Sequence, residues 1–255
     1  MGAGHAHRLH LPGRSPVHRL PAQCKLVGLV GFVLVVVATP RTAYWAFGCY
    51  AGLLLAVAVV ARVRLGFVAK RAVVEVPVVV FALLLPFVAQ GPRIEVVGIA
   101  LSESGLLSAW NVLAKATLGV VGSILLAATT EQRDLLVGLR RLKMPGQLVQ
   151  IASFMVRYLD VIADQMHRMR IAREARGFTP HGPRSWPVLA RSAGALFIRS
   201  YERGERVHLA MLSRGYTGGP PPVLSETRAA TSAWVSAAAL PVVALMIAVT
   251  AWWTR

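Results

Sequence analysis

The sequence predicts an all-α integral membrane protein, with about five membrane-spanning helices and a long basic helical segment outside the bilayer. Three observations predict it. Apolar runs approaching or exceeding the thickness of a bilayer recur along the chain. The composition is more apolar than that of soluble domains: 55% of the 255 residues are hydrophobic and 15% charged, where about a quarter charged is usual. Finally, 28 Lys and Arg stand against 11 Asp and Glu, a formal net charge of +17, and these cations are gathered in a few segments. A disordered polybasic chain is excluded, because it would lack the apolar content. Two cysteines cannot build a disulfide scaffold. A small nucleic-acid-binding domain has no use for so many uninterrupted apolar runs.

Residues 1–25 read as a basic tail carrying Arg8, Arg14, Arg19 and Lys25. Histidine-rich tracts can ligate metals, but His5, His7, His10 and His18 have no cysteine or carboxylate among them, so a mobile tail is the expectation. A basic stretch before an apolar run also resembles a secretory signal. Here Pro40-Arg41 and further spans follow it, which favours a retained first helix. That first run, 26–39, is short against the roughly 20 residues a span requires. It must draw in residues 20–24 or thin the bilayer locally.

Pro40-Arg41-Thr42 makes a tight turn into the second run, 43–61, so the two read as a helical hairpin. Cys24 and Cys49 then sit at opposite depths and should not bridge. The third run, 72–89, contains Pro77 and Pro86, which spanning helices tolerate better than soluble ones. Glu75 at its start is expected to pair with Arg71 or Lys70. The fourth run is 106–129 and the last 231–253. The organisation that results is a tail (1–25), four spans (26–130), an extramembrane segment (131–228) and a C-terminal span (229–255).

Basic residues set the orientation. Residues 1–25 hold four, the loop 62–71 holds Arg62, Arg64, Lys70 and Arg71, and 131–228 holds sixteen. Only Arg41, Arg93 and Arg255 fall on the other side, and Lys115 lies within a span. The positive-inside rule therefore predicts a cytoplasmic N-terminus. Most of the positive charge is a topology signal and needs no nucleic acid as partner.

Segment 131–228 differs in kind, with eight acids against sixteen bases. Thr129-Thr130-Glu131 suits a helix start, a threonine cap followed by an acid at the positive end of the dipole. Pro145-Gly146 breaks that helix. Residues 148–176 read as a long helix, with Ile151, Phe154, Met155, Tyr158, Leu159, Ile162 and Met166 at three- and four-residue spacing. A loop at 178–187 and a second helix at 188–214 follow, and Gly218-Gly219-Pro220-Pro221-Pro222 stops the chain from continuing as helix.

An internal repeat runs through this segment. Residues 168–179 and 206–217 share the pattern R-x-x-[IL]-A-x-x-[AS]-R-G-[FY]-T. A helix tip accounts for its form: glycine takes the left-handed position past the last turn, and the aromatic packs back onto that turn. Arginine meets the negative end of the dipole, and Ala175 or Ser213 leaves room for an approaching surface. One copy is merely a good helix stop. Two copies suggest two equivalent receiving surfaces, and an arginine fork suits carboxylates, so acidic grooves are the natural receptors.

With these pieces in order, the sequence resembles the transmembrane T component of energy-coupling factor (ECF) transporters, a branch of the ATP-binding-cassette importers. The resemblance runs through His18-Arg19-Leu20-Pro21 and Lys25-Leu26, Thr129-Thr130, residues 135–145 (Leu135 to Met144-Pro145), Arg157-Tyr158 and both tips, covering about 18–253. The second tip reads Ser-Arg-Gly where the family has Ala-Arg-Gly, a small-for-small change. The resemblance implies an L-shaped, all-helical protein with two cytoplasmic coupling helices. Their tips, Ala175, Arg176, Gly177 and Ser213, Arg214, Gly215, would dock on two cytoplasmic ATPase subunits. Their apolar faces would hold a separate substrate-binding membrane subunit, in the plasma membrane of a bacterium. ATP with magnesium would be bound by the ATPases. No G-x-x-x-x-G-K-[ST] loop occurs in this chain, so it cannot itself cradle phosphates, and neither a cofactor nor a metal cluster of its own is expected. Residues 197–206, and Trp110-Asn111 followed by Lys115, are most similar to the cobalt branch, with biotin-type T components the nearer rivals.

Asn111, Lys115, Phe154 and Tyr158 are the candidate contacts to the substrate-binding subunit. Lys115 admits two readings: a polar contact with that subunit or with Asn111, or snorkelling to the outer interface. Asp160, Asp164 and His167 could be drawn as a metal site, but Arg157 and Arg168 are as well placed to pair with the acids. Two rival functions remain open. A membrane enzyme acting on lipid phosphates through Asp160, Asp164 and Arg168 would show metal-dependent activity alone. A basic scaffold binding anionic lipid or nucleic acid would lose its ligand steeply with salt.

Overall fold

The computed structural model describes residues 11, 13, 15–89, 93–96, 99–179, 182, 185–217 and 230–254. The tail residues His5, His7, His10, Arg8 and Arg14, the glycine–proline run at 218–222, and Arg255 lie outside them. The chain divides into two compact units, one of residues 9–138 and 225–255, the other built on residues 139–224.

The first unit is the membrane unit. Its helices are α1 (Pro16–Arg19), α2 (Ala22–Ala38), α3 (Tyr44–Val60), α4 (Leu65–Arg71), α5 (Val76–Val88), α6 (Glu103–Thr129) and α10 (Thr231–Trp253). The helix α7 (Gln132–Arg141) follows α6. Ser15 caps α1 by accepting from the His18 N–H, and Thr39 closes α2 by donating its hydroxyl to the Val35 carbonyl at 2.9 Å. Among the described residues, three helical stretches reach spanning length: Leu65–Val88 with 24 residues, Glu103–Thr129 with 27 and Thr231–Trp253 with 23. The two N-terminal apolar helices have 17 residues each, about 25 Å of rise against about 30 Å of hydrocarbon. The described residues thus hold five apolar helices, of which the N-terminal pair is short.

One span boundary and one loop differ most from the sequence reading. The third span begins at Leu65, not 72, so Lys70 and Arg71 are helical. A single 3₁₀ turn, Ala72–Glu75, joins α4 to α5. The reason is Pro77: it supplies no N–H to the preceding turn, and a tighter turn absorbs the defect without ending the helix. The loop before α6 holds an antiparallel hairpin, β1 (Arg93–Val96) and β2 (Ile99–Ser102), with Arg93 opposite Ser102 and Val96 opposite Ile99. Ser102 then caps α6 by accepting from the Gly105 N–H.

The core of this unit gathers Phe32 and Val36 of α2, Phe47, Tyr50, Leu54 and Ala58 of α3, Leu118 and Leu125 of α6, and Ala244 and Ala251 of α10. Lipid offers no hydrophobic drive between helices, so close backbone approach matters. A Cβ on Gly28 would lie 2.8 Å from the Ala237 carbonyl oxygen, and one on Gly105 would lie 2.7 Å from the Pro86 Cα. Tyr50 is fully buried. With the Thr39 hydrogen on Val35, the Tyr50 hydroxyl shares its own between Thr39 Oγ1 at 2.9 Å and the Ala244 carbonyl at 3.4 Å, at a meeting point of three helices. Outward, Val80, Phe81, Leu84, Phe87 and Val88 of α5 are exposed, as a lipid-facing surface requires. Cys24 is buried and Cys49 exposed, and no disulfide joins them.

The Glu75 carboxylate is buried. It accepts the Thr117 hydroxyl of α6, a neutral donor on another span that the sequence did not point to. Arg71 lies 4.6 Å from the centre of the Phe67 ring.

The second unit contains two long helices, α8 (Gly146–Ala175) and α9 (Trp186–Leu212), of 30 and 27 residues. The apolar residues of α8 divide into two rows. Phe154, Tyr158 and Ile162 line a cavity of about 390 Å³ shared with Arg203, Val207 and Met211 of α9. Ile151, Met155, Leu159 and Met166 are exposed. On α9, Phe197, Ile198, Tyr201 and Leu209 are likewise exposed.

Candidate partner-docking tips

Both repeat copies end a helix in the same way. In the first, Gly177 adopts φ +76°, the Phe178 N–H reaches back to the Arg173 carbonyl at 3.1 Å, and the Gly177 N–H reaches that of Glu174 at 3.0 Å. In the second, Gly215 adopts φ +80°. The Tyr216 N–H reaches the Met211 carbonyl and the Gly215 N–H that of Leu212, both at 3.0 Å. These paired 6→1 and 5→2 bonds define a Schellman cap. Glycine is favoured because a Cβ strains the left-handed backbone, although open space surrounds both positions.

The cap leaves Ala175, Arg176 and Gly177 exposed at one tip and Ser213, Arg214 and Gly215 at the other. One turn back, Arg170 Nε donates to Glu174 at 2.8 Å, so that acid is already engaged. Among the described residues neither Arg176 nor Arg214 forms an ion pair. Each tip therefore offers a free guanidinium beside a small residue, which suits a bidentate contact to an outside carboxylate.

The aromatic that follows differs between copies. Phe178 is half-buried and carries no polar atom on its ring, whereas the Tyr216 hydroxyl lies 2.7 Å from Gln150 Nε2 and 2.9 Å from Gln150 Oε1. Phe154 and Tyr158 stack with ring centres 6.4 Å apart.

Two more C-caps of this form were not legible in the sequence. Lys143, past α7, has φ +63°, with the Met144 N–H on the Leu139 carbonyl and the Lys143 N–H on that of Arg140. Thus α7 ends at Arg141, before the Pro145-Gly146 break. Arg62, past α3, has φ +54° and the equivalent bonds from Val63 to Ala58 and from Arg62 to Val59. Lysine and arginine give no textual signal for this conformation, which glycine ordinarily marks.

In the membrane unit, Lys25 joins two separate pieces of sequence. Its ammonium donates to the Thr129 carbonyl at 2.8 Å, Thr130 Oγ1 at 3.1 Å and the His18 carbonyl at 3.4 Å. The last carbonyls of α6 lack intrahelical partners, and a cation there is favourable. The signature residues around His18–Lys25 and Thr129-Thr130 therefore form one joint.

The candidate contacts Asn111 and Lys115 lie on α6, and Phe154 and Tyr158 on α8, in separate units. Lys115 donates to the Val37 carbonyl at 2.7 Å, so its ammonium goes to the end of α2 and not to Asn111. Asn111 Oδ1 is buried without a hydrogen-bond partner among the described residues. Among the described residues, no three His, Cys, Asp or Glu side chains converge on a point that could hold a metal ion.

Residues 13–223 match the family model described as cobalt transport protein. The chain is similar to the energy-coupling factor transporter transmembrane protein EcfT of Brevibacillus brevis, with 26% identity over 96% of each chain. It is also similar to the cobalt transport protein CbiQ of Rhodobacter capsulatus, at 28% identity over 83% of this chain and 84% of that one. An uncharacterized protein of Methanocaldococcus jannaschii shares 36% identity over 39% of this chain. The match spans 37% of that protein's length and 54% of a second relative from the same organism. With a matched model over most of its length, five apolar helices and the paired tips, the chain belongs to the CbiQ family of cobalt transport proteins.

Proposed function

We propose that this chain is the transmembrane coupling subunit of an energy-coupling-factor importer. Arg176 and Arg214 each seat in an acidic groove of one of two cytoplasmic ATPase subunits, with Ala175 and Gly177, or Ser213 and Gly215, permitting close approach. The ATPases bind ATP with magnesium, and their movement displaces α8 and α9. The exposed apolar rows of those helices, with Phe154 and Tyr158 behind them, carry a substrate-binding membrane subunit, and Asn111 and Lys115 add contacts within the bilayer. The chain sits in a bacterial plasma membrane with its N-terminus and both tips cytoplasmic.

The observation that carries this reading is the doubled tip: two helix ends with the same cap, each presenting an exposed arginine without an acid of its own among the described residues. A lone helix stop would explain one. Replacing Arg176 and Arg214 together by glutamate is expected to strip the ATPases from the purified complex and abolish uptake. ATPases that stay bound with uptake unchanged would refute the docking.

The cargo we propose is cobalt(II), supported by the family description and by the name of the Rhodobacter relative. Uptake of labelled cobalt and labelled biotin by the assembled complex tests it. Biotin uptake without cobalt uptake overturns the choice.

A further inference from the structure

The two tips share their backbone but not their attachment. At the second, the Tyr216 hydroxyl faces both polar atoms of the Gln150 amide, 66 residues away, and can donate to Oε1 or accept from Nε2. A hydrogen bond forms whichever way the amide is turned. Gln150 stands in the first turns of α8. The ring also lines the cavity with Phe154, Tyr158 and Met211, so it is held by packing as well as by its polar tip. At the first tip the matching residue is Phe178, which has the cap bonds and no hydroxyl.

We propose that Tyr216 and Gln150 are positioning residues that couple the second tip to the start of α8. When the Arg214 tip is displaced, the Schellman cap moves Tyr216 with it as one body, because the Tyr216 N–H is bonded to Met211. Tyr216 then carries the displacement through Gln150 to α8. The first tip lacks this link, so the two tips transmit differently although they dock alike. Its inequivalence follows from one oxygen atom. The proposal rests on the docking reading above and concerns what happens after docking.

The test uses the assembled complex, with uptake of cobalt(II) or biotin, whichever it carries, measured beside ATP hydrolysis and co-purification. Tyr216→Phe retains the ring and removes the oxygen. It is expected to leave both ATPases bound and hydrolysing, while uptake per ATP falls about three- to tenfold, the factor of one ordinary hydrogen bond. Gln150→Leu should reproduce the loss, the double variant should be no worse than either, and Gln150→Glu, which retains an acceptor, should recover most of the uptake. Unchanged uptake in Tyr216→Phe, losses that add in the double variant, or ATPases lost from the Tyr216→Phe complex would each overturn the proposal. Failure of the docking reading shows itself separately, as ATPases that remain bound when Arg176 and Arg214 are glutamate.

Discussion

Among the described residues four helix ends use a left-handed residue, and at Arg62 and Lys143 that residue is a cation with a Cβ. Such a conformation costs a non-glycine residue about 1–2 kcal/mol, so Lys143→Gly should raise stability, by up to about 1 kcal/mol once the greater freedom of unfolded glycine is set against it. Thermal unfolding in detergent measures this, and a lower melting temperature would contradict it. The converse holds at the tips: Gly177→Ala and Gly215→Ala should each loosen a cap by about 1 kcal/mol, and weaken co-purification of the ATPases without altering the membrane unit. Lys25 is a different case, since its ammonium supplies the end of α6 with donors. Lys25→Met should cost about 1–3 kcal/mol, because it leaves buried acceptors unmet, while Lys25→Arg should retain part of that stability. A Lys25→Met protein that melts like the parent would show that water replaces the ammonium there.

At the scale of the element, α8 carries two apolar rows with different neighbours. Phe154 and Tyr158 face the cavity lined by α9, so Phe154→Ala should destabilise this unit by a few kcal/mol, in the range of large core truncations or somewhat below it. Met155 and Leu159 are exposed. Replacing both with serine should leave the melting temperature of the isolated chain within about 0.5 kcal/mol equivalent and still reduce capture of the substrate-binding subunit. A loss of fold in that variant, or capture at the parental level, would remove this face from the docking surface. Hydrophobic periodicity placed all these side chains on one helix but could not separate the rows, because both obey three- and four-residue spacing.

For the molecule as a whole, the positive-inside count makes a topological prediction. With Cys24 and Cys49 changed to serine, Arg93→Cys should react with a membrane-impermeant thiol reagent from outside intact cells. Arg176→Cys should react only after permeabilisation. The reverse pattern would invert the orientation. The short α2 and α3 bear on the same experiment, because 17 residues call for local thinning of the bilayer, and labels near Pro40 should lie closer to the bilayer midplane than those near Arg93.

The sequence by itself determined the class, the existence of five apolar helices, the basic segment and the doubled tip with glycine at its turn. Each rests on local chemistry: apolar length, charge count, and a backbone angle that glycine announces. Tertiary structure decided what joins across distance. Thr117 reaching Glu75, Lys25 closing the end of α6, Lys115 turning to Val37 and Tyr216 meeting Gln150 are contacts between residues 42, 104, 78 and 66 positions apart. No periodicity encodes them. The 3₁₀ turn before Pro77 and the left-handed cations at Arg62 and Lys143 belong with these. At the two cations the local cost is offset by the cap bonds that close the preceding helix, a geometry that neither side chain announces.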